Sequence, residues 1–360
     1  MTASEPIIRS IPGGTLDLRI ERAEIPLDTA LAFAARRNPR RRFLFVSRIL
    51  GRHIPTRPSA LREAAAALAR KLASPAAPCL FIGMAETATT LGQAVWREWL
   101  RLGGCESLYL DTTRHPTGGE VAFSFSEDHS HAPLHLVHRP LPADDPHRIF
   151  ERAMSLIIVD DEATTGRTAA ALADAFAKWR GSMPAVSLLT LVRWKNGDVP
   201  PFDCHSLIEG VFQFTPTASA PEPPFCEQAV VSPVRASRGA RHGIAAPQIS
   251  LWPSEPAARV LVIGAGEFGF VPLLLAEQIE GAGGDAFVQA TTRSPVMEGG
   301  AIGHVRSFSA LDGSGYIEFL YNVPDDHSYD RIILCCEGAP PPPAHPLLAI
   351  PRLEIRSAYE

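Results

Sequence analysis

Two adjacent carboxylates followed by a turn rich in threonine and glycine form the strongest chemical pattern in the sequence. The segment Ser155–Thr168 reads SLIIVDDEATTGRT, in which an apolar run ends at Asp160 and Asp161 and a helical pattern follows the turn. Backbone N–H groups at the amino end of a helix favour an anion, so residues Ala163–Thr168 predict a phosphate site. The two carboxylates can accept hydrogen bonds from vicinal sugar hydroxyls or hold a divalent cation. Phosphate beside a diol indicates a ribose phosphate.

The same residues closely resemble the signature with which type I phosphoribosyltransferases bind 5-phosphoribosyl-1-pyrophosphate (PRPP). That signature is an apolar strand, Asp-Asp, two variable residues and Thr-Thr-Gly-x-Thr. The resemblance implies that a phosphoribosyl group is moved to a nitrogenous acceptor with release of pyrophosphate, and that Mg²⁺ is required. It implies that Asp160 and Asp161 take part in catalysis and also bind the metal ion. The other residues expected to bind PRPP here are Glu162, Ala163, Thr164, Thr165, Gly166, Arg167 and Thr168.

A second strand-to-helix turn lies upstream, in CLFIGMAETATTLG. It stands where this enzyme family has its pyrophosphate loop, and small residues allow a backbone to approach an anion. An ordinary turn between a strand and a helix is the alternative interpretation. The residues at the matching position are Met84, Ala85, Glu86 and Thr87.

The segment from residue 108 to 140, which we call the hood, resembles the mobile hood of the same superfamily. Within it, Arg114 is a candidate phosphate ligand and Glu127 is the candidate general base. His129 and His131 are candidates for binding the acceptor. A metal site formed by His129, His131, His135 and His138 is one alternative, and a solvated hairpin is the other.

Acceptor contacts are also expected from outside the hood. Arg48 and His53, in the segment FLFVSRILGRHIP, are placed to close over the phosphate or the base from the amino-terminal side. Trp194 follows the strand after the phosphate-binding helix, where related enzymes often stack an aromatic ring on the base. A basic turn and a core tryptophan are the alternatives.

A more specialised resemblance covers nearly the whole chain. FLFVSRILGRHIPTRP, the TTR and SEDHSHA segments, and TTRSP at residues 291–295 together resemble phosphoribosyltransferases that carry a carboxyl-terminal TRSP domain. That family is associated with bacterial stress operons of the tellurite-resistance type. The resemblance implies a part in nucleotide or nucleoside-like metabolite synthesis and leaves the acceptor open.

The order of elements predicts an α/β fold. Apolar strand patterns alternate with helical ones, which is typical of a parallel sheet flanked by helices, here of the type I phosphoribosyltransferase kind. Because 360 residues exceed one ordinary domain, we expect a second, smaller α/β domain. We place a phosphoribosyltransferase domain with its hood at 1–243, a linker at 244–257 and a TRSP-type domain at 258–360.

An internal repeat leads to a hypothesis about the second domain. FIGMAETATTLG…LYLDTTRHP and VIGAGEFGFVPLL…VQATTRSP both run strand, glycine turn, helix, strand and TTR. The second domain would then be a degenerate copy, with RIILCC in place of the strand that ends in the acid pair. Its GAGEFG also fits a dinucleotide fingerprint, but the next strand lacks the acidic residue that binds ribose.

Composition restricts the partners. The net charge of −5 disfavours a broad nucleic-acid surface, the amino terminus lacks a secretory apolar core, and no apolar run is long enough for a membrane helix. Six cysteines without a CxxC pattern favour a reducing cytoplasm. We expect PRPP and a small-molecule acceptor as partners, with a homodimer or an intramolecular pseudo-dimer left open. The alternative functions are a regulator that senses PRPP or a nucleotide, favoured by the basic cluster at residues 36–42, and a nucleoside hydrolase or phosphorylase.

Overall fold

A computed structural model describes residues 5–38, 41–115, 117–126, 134–140, 145–197, 200–217, 239–246, 258–311 and 315–357. The strands are Ile7–Ile11 (β1), Gly14–Ala23 (β2), Leu31–Ala35 (β3), Phe43–Ser47 (β4), Cys79–Gly83 (β5), Ser107–Asp111 (β6), Val121–Ser126 (β7), Leu134–His138 (β8), Ser155–Ala163 (β9), Ala185–Trp194 (β10), Asp203–Pro216 (β11), Arg259–Gly264 (β12), Asp285–Ala290 (β13), Val305–Ser309 (β14), Ile317–Tyr321 (β15), Arg331–Cys336 (β16) and Leu353–Ser357 (β17). The helices are Leu27–Ala30 (α1), Pro58–Ala69 (α2), Thr89–Arg101 (α3), Asp145–Arg152 (α4), Arg167–Arg180 (α5) and Phe270–Gly281 (α6), with 3-10 turns at Ala240–His242 and Pro346–Ala349.

A seven-stranded sheet in the order β1-β2-β11-β10-β9-β5-β6 forms the centre of the molecule. The five strands from β11 to β6 are parallel, whereas β2 and β1 continue the sheet antiparallel at one edge. The predicted α/β fold class, with a mostly parallel sheet, is confirmed.

The sheet is covered on both faces, which explains why its central strands are apolar throughout. On one face, Phe81 and Ile157 pack in a core with residues of α2 and α3. On the other face, Ile82 and Ile158 pack with residues of α4, α5 and the β7–β8 hairpin. The carboxyl ends of β5 and β9, where ligands of such sheets bind, therefore emerge between two helical layers.

A second sheet of four parallel strands has the order β13-β12-β16-β17. We call strands β5–β10 with their helices the first half, and strands β12–β17 with theirs the second half. In the first half the matching strands are ordered β6-β5-β9-β10. Along the chain, each half also has an antiparallel hairpin: β7–β8 lies between β6 and β9, and β14–β15 lies between β13 and β16. This equal strand order is what the repeat hypothesis requires.

The pairing register corrects one detail of the repeat. Gly83 pairs with Val159 in the first half and Gly264 pairs with Cys335 in the second. Cys336 and Glu337 follow the paired residue Cys335, as Asp160 and Asp161 follow Val159. The position of the acid pair is therefore occupied by Cys336 and Glu337. The second half thus keeps one acid at this position. In place of helix α5 it has only the short 3-10 turn before β17.

The two halves share one hydrophobic core. Val260 and Val262 of β12 and Leu273 of α6 belong to the same buried cluster as residues of α2 and α3. Most of the predicted linker at 244–257 lies outside the described residues, so those boundaries stay a prediction. Within the described part of the chain, no helix has the length and apolar character needed to cross a membrane.

Candidate functional site

A cavity of about 390 Å³ opens at the carboxyl ends of β5 and β9. It is lined by the β5–α3 loop, the β9–α5 turn, the β3–β4 hairpin with the segment that follows it, and Arg114 after β6. Ser126 and His135 of the β7–β8 hairpin and a short segment of the second half that follows β13 also line it. The crevice beyond the carboxyl ends of parallel strands is where α/β proteins of this kind hold their ligands.

The β9–α5 turn is shaped to present backbone N–H groups to the cavity. Helix α5 begins at Arg167, and Gly166 before it has a left-handed φ of +68°, which few residues other than glycine adopt. A Cβ atom at Gly166 would also lie 2.3 Å from a ring carbon of Pro200. Gly166 has no side chain to cap the helix, and the first amide of α5, on Arg167, makes a long hydrogen bond of 3.4 Å to Oγ1 of Thr165. The amino end of the helix can therefore receive an anion. The predicted phosphate residues Ala163, Thr164, Thr165, Gly166, Arg167 and Thr168 all line the cavity.

Asp160 and Asp161 reach the cavity from the end of β9. The backbone N–H of Asp161 donates to Oδ1 of Asp160 at 2.9 Å, which orients the first carboxylate. Glu162 follows them and accepts a 2.6 Å hydrogen bond from Nη2 of Arg41. Burial raises the pKa of Glu162, the Arg41 guanidinium opposes the shift, and the nearby Asp161 adds to it.

The β5–α3 loop lies opposite the acid pair and is fixed from both sides. The N–H of Met84 donates to the Val159 carbonyl at 3.0 Å, and the N–H of Ala85 donates to Oγ1 of Thr112 at 2.8 Å. All four predicted residues, Met84, Ala85, Glu86 and Thr87, line the cavity.

Arg114, the candidate phosphate ligand of the hood, also lines the cavity. Its Nη2 donates to the Ala85 carbonyl at 3.3 Å, which links it to the β5–α3 loop. Its backbone N–H donates to Oε1 of Glu267, in the second half, at 3.2 Å.

His53 lines the cavity as a buried, neutral imidazole. Burial lowers the pKa of His53 to about 3, and the adjacent Arg52 cation lowers it further. Among the described residues its Nε2 has no hydrogen-bond partner. A neutral ring nitrogen can donate to or accept from a ligand that reaches it, according to its tautomer.

Two predicted acceptor residues are not brought to the cavity. Trp194 is 0% exposed and packs in the core, with its ring 4.6 Å from that of Phe45 and 5.4 Å from that of Phe212. Arg48 is exposed, and its Nε donates to the Leu31 carbonyl at 3.3 Å. Glu127, His129 and His131 lie outside the described residues, so the roles assigned to them stay predictions.

Sequence reasoning missed several residues that line the cavity. Arg36 and Arg41 belong to the basic cluster that favoured a regulatory function, and the β3–β4 hairpin places both at the cavity. Phe45 lines it from β4, and Thr292 and Ser294 line it from the second half. The signal for the last two was the second TTR in the internal repeat, which marks the matching position in the other half.

The donor set fits Mg²⁺ held jointly with a substrate. Within the described ranges, no group of three or more His, Cys, Asp or Glu side chains is arranged to hold a metal. Proteins usually bind Mg²⁺ through one or two carboxylates, with substrate phosphates and water completing the shell. Asp160 and Asp161 supply such a pair at the cavity.

A mostly parallel sheet with a phosphate-type turn and an acid pair at its carboxyl edge defines a protein of the phosphoribosyltransferase class. The sequence profile described as phosphoribosyl transferase matches residues 30–200, and the profile of the TRSP domain that follows it in such proteins matches residues 237–350. The chain belongs to the family of phosphoribosyltransferases with a carboxyl-terminal TRSP domain, and the predicted membership is confirmed.

Solved structures give more distant likenesses. An adenine phosphoribosyltransferase from Thermoanaerobacter pseudethanolicus is 18% identical, with 42% of this chain and 81% of that chain covered and a TM-score of 0.29. One from Trypanosoma brucei, in complex with AMP, pyrophosphate and ribose-5-phosphate, is 11% identical, with 51% and 77% covered and a TM-score of 0.32. A hypoxanthine phosphoribosyltransferase from Staphylococcus aureus is 12% identical, with 44% and 77% covered and a TM-score of 0.27. No curated protein sequence matches the chain.

Proposed function

We propose that the protein transfers the phosphoribosyl group of PRPP to a nitrogenous acceptor in the synthesis of a nucleotide or nucleoside-like metabolite. One observation carries the proposal: the anion-binding turn before α5, the acid pair and the β5–α3 loop face one cavity. A ribose 5-phosphate with a second phosphate group at the anomeric carbon needs those three kinds of contact.

The turn Ala163–Thr168 would hold the 5-phosphate through its amides and hydroxyls. Asp160 and Asp161 would accept hydrogen bonds from the ribose hydroxyls and stabilise positive charge as it develops at the anomeric carbon. The β5–α3 loop, through the amides of Glu86 and Thr87, and the Arg114 guanidinium would receive the departing pyrophosphate. The anomeric C–O bond breaks, a C–N bond forms, and the acceptor nitrogen gives up a proton.

Mg²⁺, which Asp160 and Asp161 would hold together with the phosphates, neutralises charge on the pyrophosphate group when it is bound. The residues of this chain then act mainly by holding donor and acceptor in line, which can supply a large part of a rate enhancement. Glu127 remains the predicted base for the acceptor proton.

The acceptor would contact the amino-terminal wall of the cavity. His53 offers a ring nitrogen that is neutral at physiological pH, and Phe45, also in the lining, offers an apolar ring. We assign Phe45 the aromatic contact that the sequence had given to Trp194, because both rings pack in one core but Phe45 lines the cavity and Trp194 does not.

Calorimetric titration with PRPP and Mg²⁺ tests this function. The wild-type protein is expected to bind PRPP in a Mg²⁺-dependent manner, and the Asp160→Asn, Asp161→Asn double variant is expected to lose binding and turnover while staying folded. Asp174→Asn is the matched control, since Asp174 is an exposed carboxylate on α5 that does not line the cavity.

Retained activity in the double variant would refute the role of the acid pair. If folded wild-type protein binds no PRPP, the transferase proposal fails. Pyrophosphate release measured across a panel of nitrogenous acceptors, beside a water-only reaction, then separates transfer from hydrolysis of the donor.

A further inference from the structure

The two halves exchange contacts reciprocally. Thr56, before the first half, forms an antiparallel bridge with Val288 on β13 of the second half. Ile244, before the second half, forms the same kind of bridge with Tyr109 on β6 of the first half. Val288 and Tyr109 are each three residues before the first threonine of a TTR segment, so the two bridges occupy matching positions.

The glycine turns of the halves are built alike. The N–H of Ala85 donates to Oγ1 of Thr112 in the first half, and the N–H of Gly266 donates to Oγ1 of Thr291, at 2.7 Å, in the second. The next residue in each turn is a glutamate, Glu86 or Glu267.

Each of these glutamates reaches the TTR arginine of the other half. The backbone N–H of Arg293 donates to Oε1 of Glu86 at 3.0 Å, and the backbone N–H of Arg114 donates to Oε1 of Glu267 at 3.2 Å. The two halves are thus joined as a pseudo-symmetric pair, and both crossed contacts end on segments of the first half that line the candidate site.

We propose that the second half positions the donor site of the first half: Arg293 fixes the β5–α3 loop through Glu86, and Glu267 fixes the segment that carries Arg114. This inference rests on the proposed function and assigns a supporting role to the TRSP domain, which contains the second half. Neither side chain lines the cavity, so both are positioning residues.

The contacts of Glu86 support its half of the proposal. Its carboxylate is 9% exposed and lies 3.7 Å from Nε of Arg293 and 3.8 Å from Nη1 of Arg52. The Arg293 side chain is 2% exposed, and its guanidinium lies 4.5 Å over the ring of Tyr316. A buried carboxylate is held in place only while its cations stay with it, so Arg293 restricts where the loop can go.

Glu267 makes a comparable set of contacts. Its Oε2 accepts from Oγ1 of Thr113 at 2.7 Å and from Nε of Arg241 at 2.9 Å. Burial would raise the pKa of Glu267, but Arg241 and the other donors outweigh it and hold that pKa at about 2. The carboxylate is therefore ionised at physiological pH and holds the backbone next to Arg114.

Among the described residues, the position of the second half that matches the donor site leaves no room for a donor. Glu337, at the position of the acid pair, accepts from Nη1 of Arg241 at 2.8 Å. The space left beside Glu267 and Glu337 is about 30 Å³, which is the share of a single water molecule. Glu267 and Glu337, which would face a ligand at this position, instead form ion pairs with Arg241.

Hydrogen exchange and PRPP titration of the full chain test the proposal, with Arg293→Met and Glu267→Gln as variants. Glu277→Gln is the matched control, because Glu277 of α6 accepts two hydrogen bonds from Arg97 of α3, at 2.8 and 2.7 Å, across the same interface but away from the cavity. Arg293→Met is expected to raise deuterium uptake in residues 84–88, and Glu267→Gln in residues 112–115. Each is expected to weaken PRPP binding about tenfold, and Glu277→Gln to do neither.

Exchange and binding that match the control in both variants would overturn the proposal. Should Arg293→Met fail to fold, the Glu86→Gln, Arg293→Met double variant removes the buried charge pair together, and normal uptake at 84–88 in it would overturn the role of Arg293. The exchange readout needs no ligand. If the wild type binds no PRPP while the variants raise uptake locally, the proposed function fails and the positioning role stands.

Discussion

His53 shows how burial sets the chemistry of a single residue. A histidine in water has a pKa near 6.5, but the pKa of His53 is lowered to about 3 by burial and the neighbouring Arg52. The ring therefore stays neutral over the physiological range and can offer either a hydrogen-bond donor or an acceptor to a substrate, without changing charge between pH 5 and 8.

Replacing His53 by Gln keeps a polar side chain but changes what it offers to the acceptor. We expect PRPP affinity to stay within about twofold and the KM for the acceptor to rise about tenfold, which is the usual effect of one lost hydrogen bond to a substrate. Steady-state kinetics at saturating PRPP measures this. An unchanged KM for the acceptor would remove His53 from the acceptor site.

The lowered pKa of His53 also predicts that stability depends on pH, and the same variant tests this. In wild type the unfolded chain binds a proton on His53 below pH 6.5 that the folded protein rejects until about pH 3, so the free energy of unfolding falls as the pH drops through this window. One proton corresponds to about 1.4 kcal/mol per pH unit. Urea unfolding at pH 7 and pH 4.5 should show a smaller decline for His53→Gln, and equal declines would contradict the buried neutral state.

At the scale of elements, the sequence was informative where function and local structure coincide. Asp160, Asp161 and the turn to Thr168 could be predicted because a buried strand, two acids and a glycine turn leave a contiguous pattern. Trp194 could not be placed, because its burial depends on Phe45 and Phe212, which lie on strands distant in the chain. The sequence showed Arg36 and Arg41 as members of a basic cluster, but their place at the cavity follows from the pairing of β3 with β4.

The left-handed turn before α5 gives a prediction for an element. Gly166→Ala should cost about 1–3 kcal/mol of unfolding free energy and weaken PRPP binding, because the new Cβ meets Pro200 and strains the φ of +68°. Gly181→Ala is the control at the other end of the helix, where φ is +86° and nothing lies within 4 Å. Chemical denaturation and PRPP titration of both variants separate backbone strain from the clash, and equal PRPP affinities would show that the turn does not hold phosphate.

The whole molecule behaves, in its packing, as one unit made of two related halves. Residues of α3 in the first half, and of α2 just before it, share a core with α6 and β12 of the second, so neither half buries its apolar surface alone. The two halves of the one chain therefore pack as a pseudo-symmetric pair, and the oligomeric state of the protein stays a prediction.

Truncation after residue 246 is therefore predicted to expose the apolar faces of α2 and α3. The fragment should aggregate or lose cooperative unfolding, and co-expression with residues 258–360 should restore a folded complex. Size-exclusion chromatography and circular dichroism measure both. A monomeric fragment with the PRPP affinity of the full chain would contradict the shared core as well as the positioning role of Arg293.

Covalent linkage of the two halves affects how their sequences can diverge. In a homodimer every substitution appears twice, so a change that closes one ligand site closes the other, whereas two halves on one polypeptide can diverge independently. Here Asp160 and Asp161 face an open cavity in one half, while Cys336 and Glu337 occupy the same position in the other, against Arg241. The tether also keeps the second half present beside the first at a fixed effective concentration.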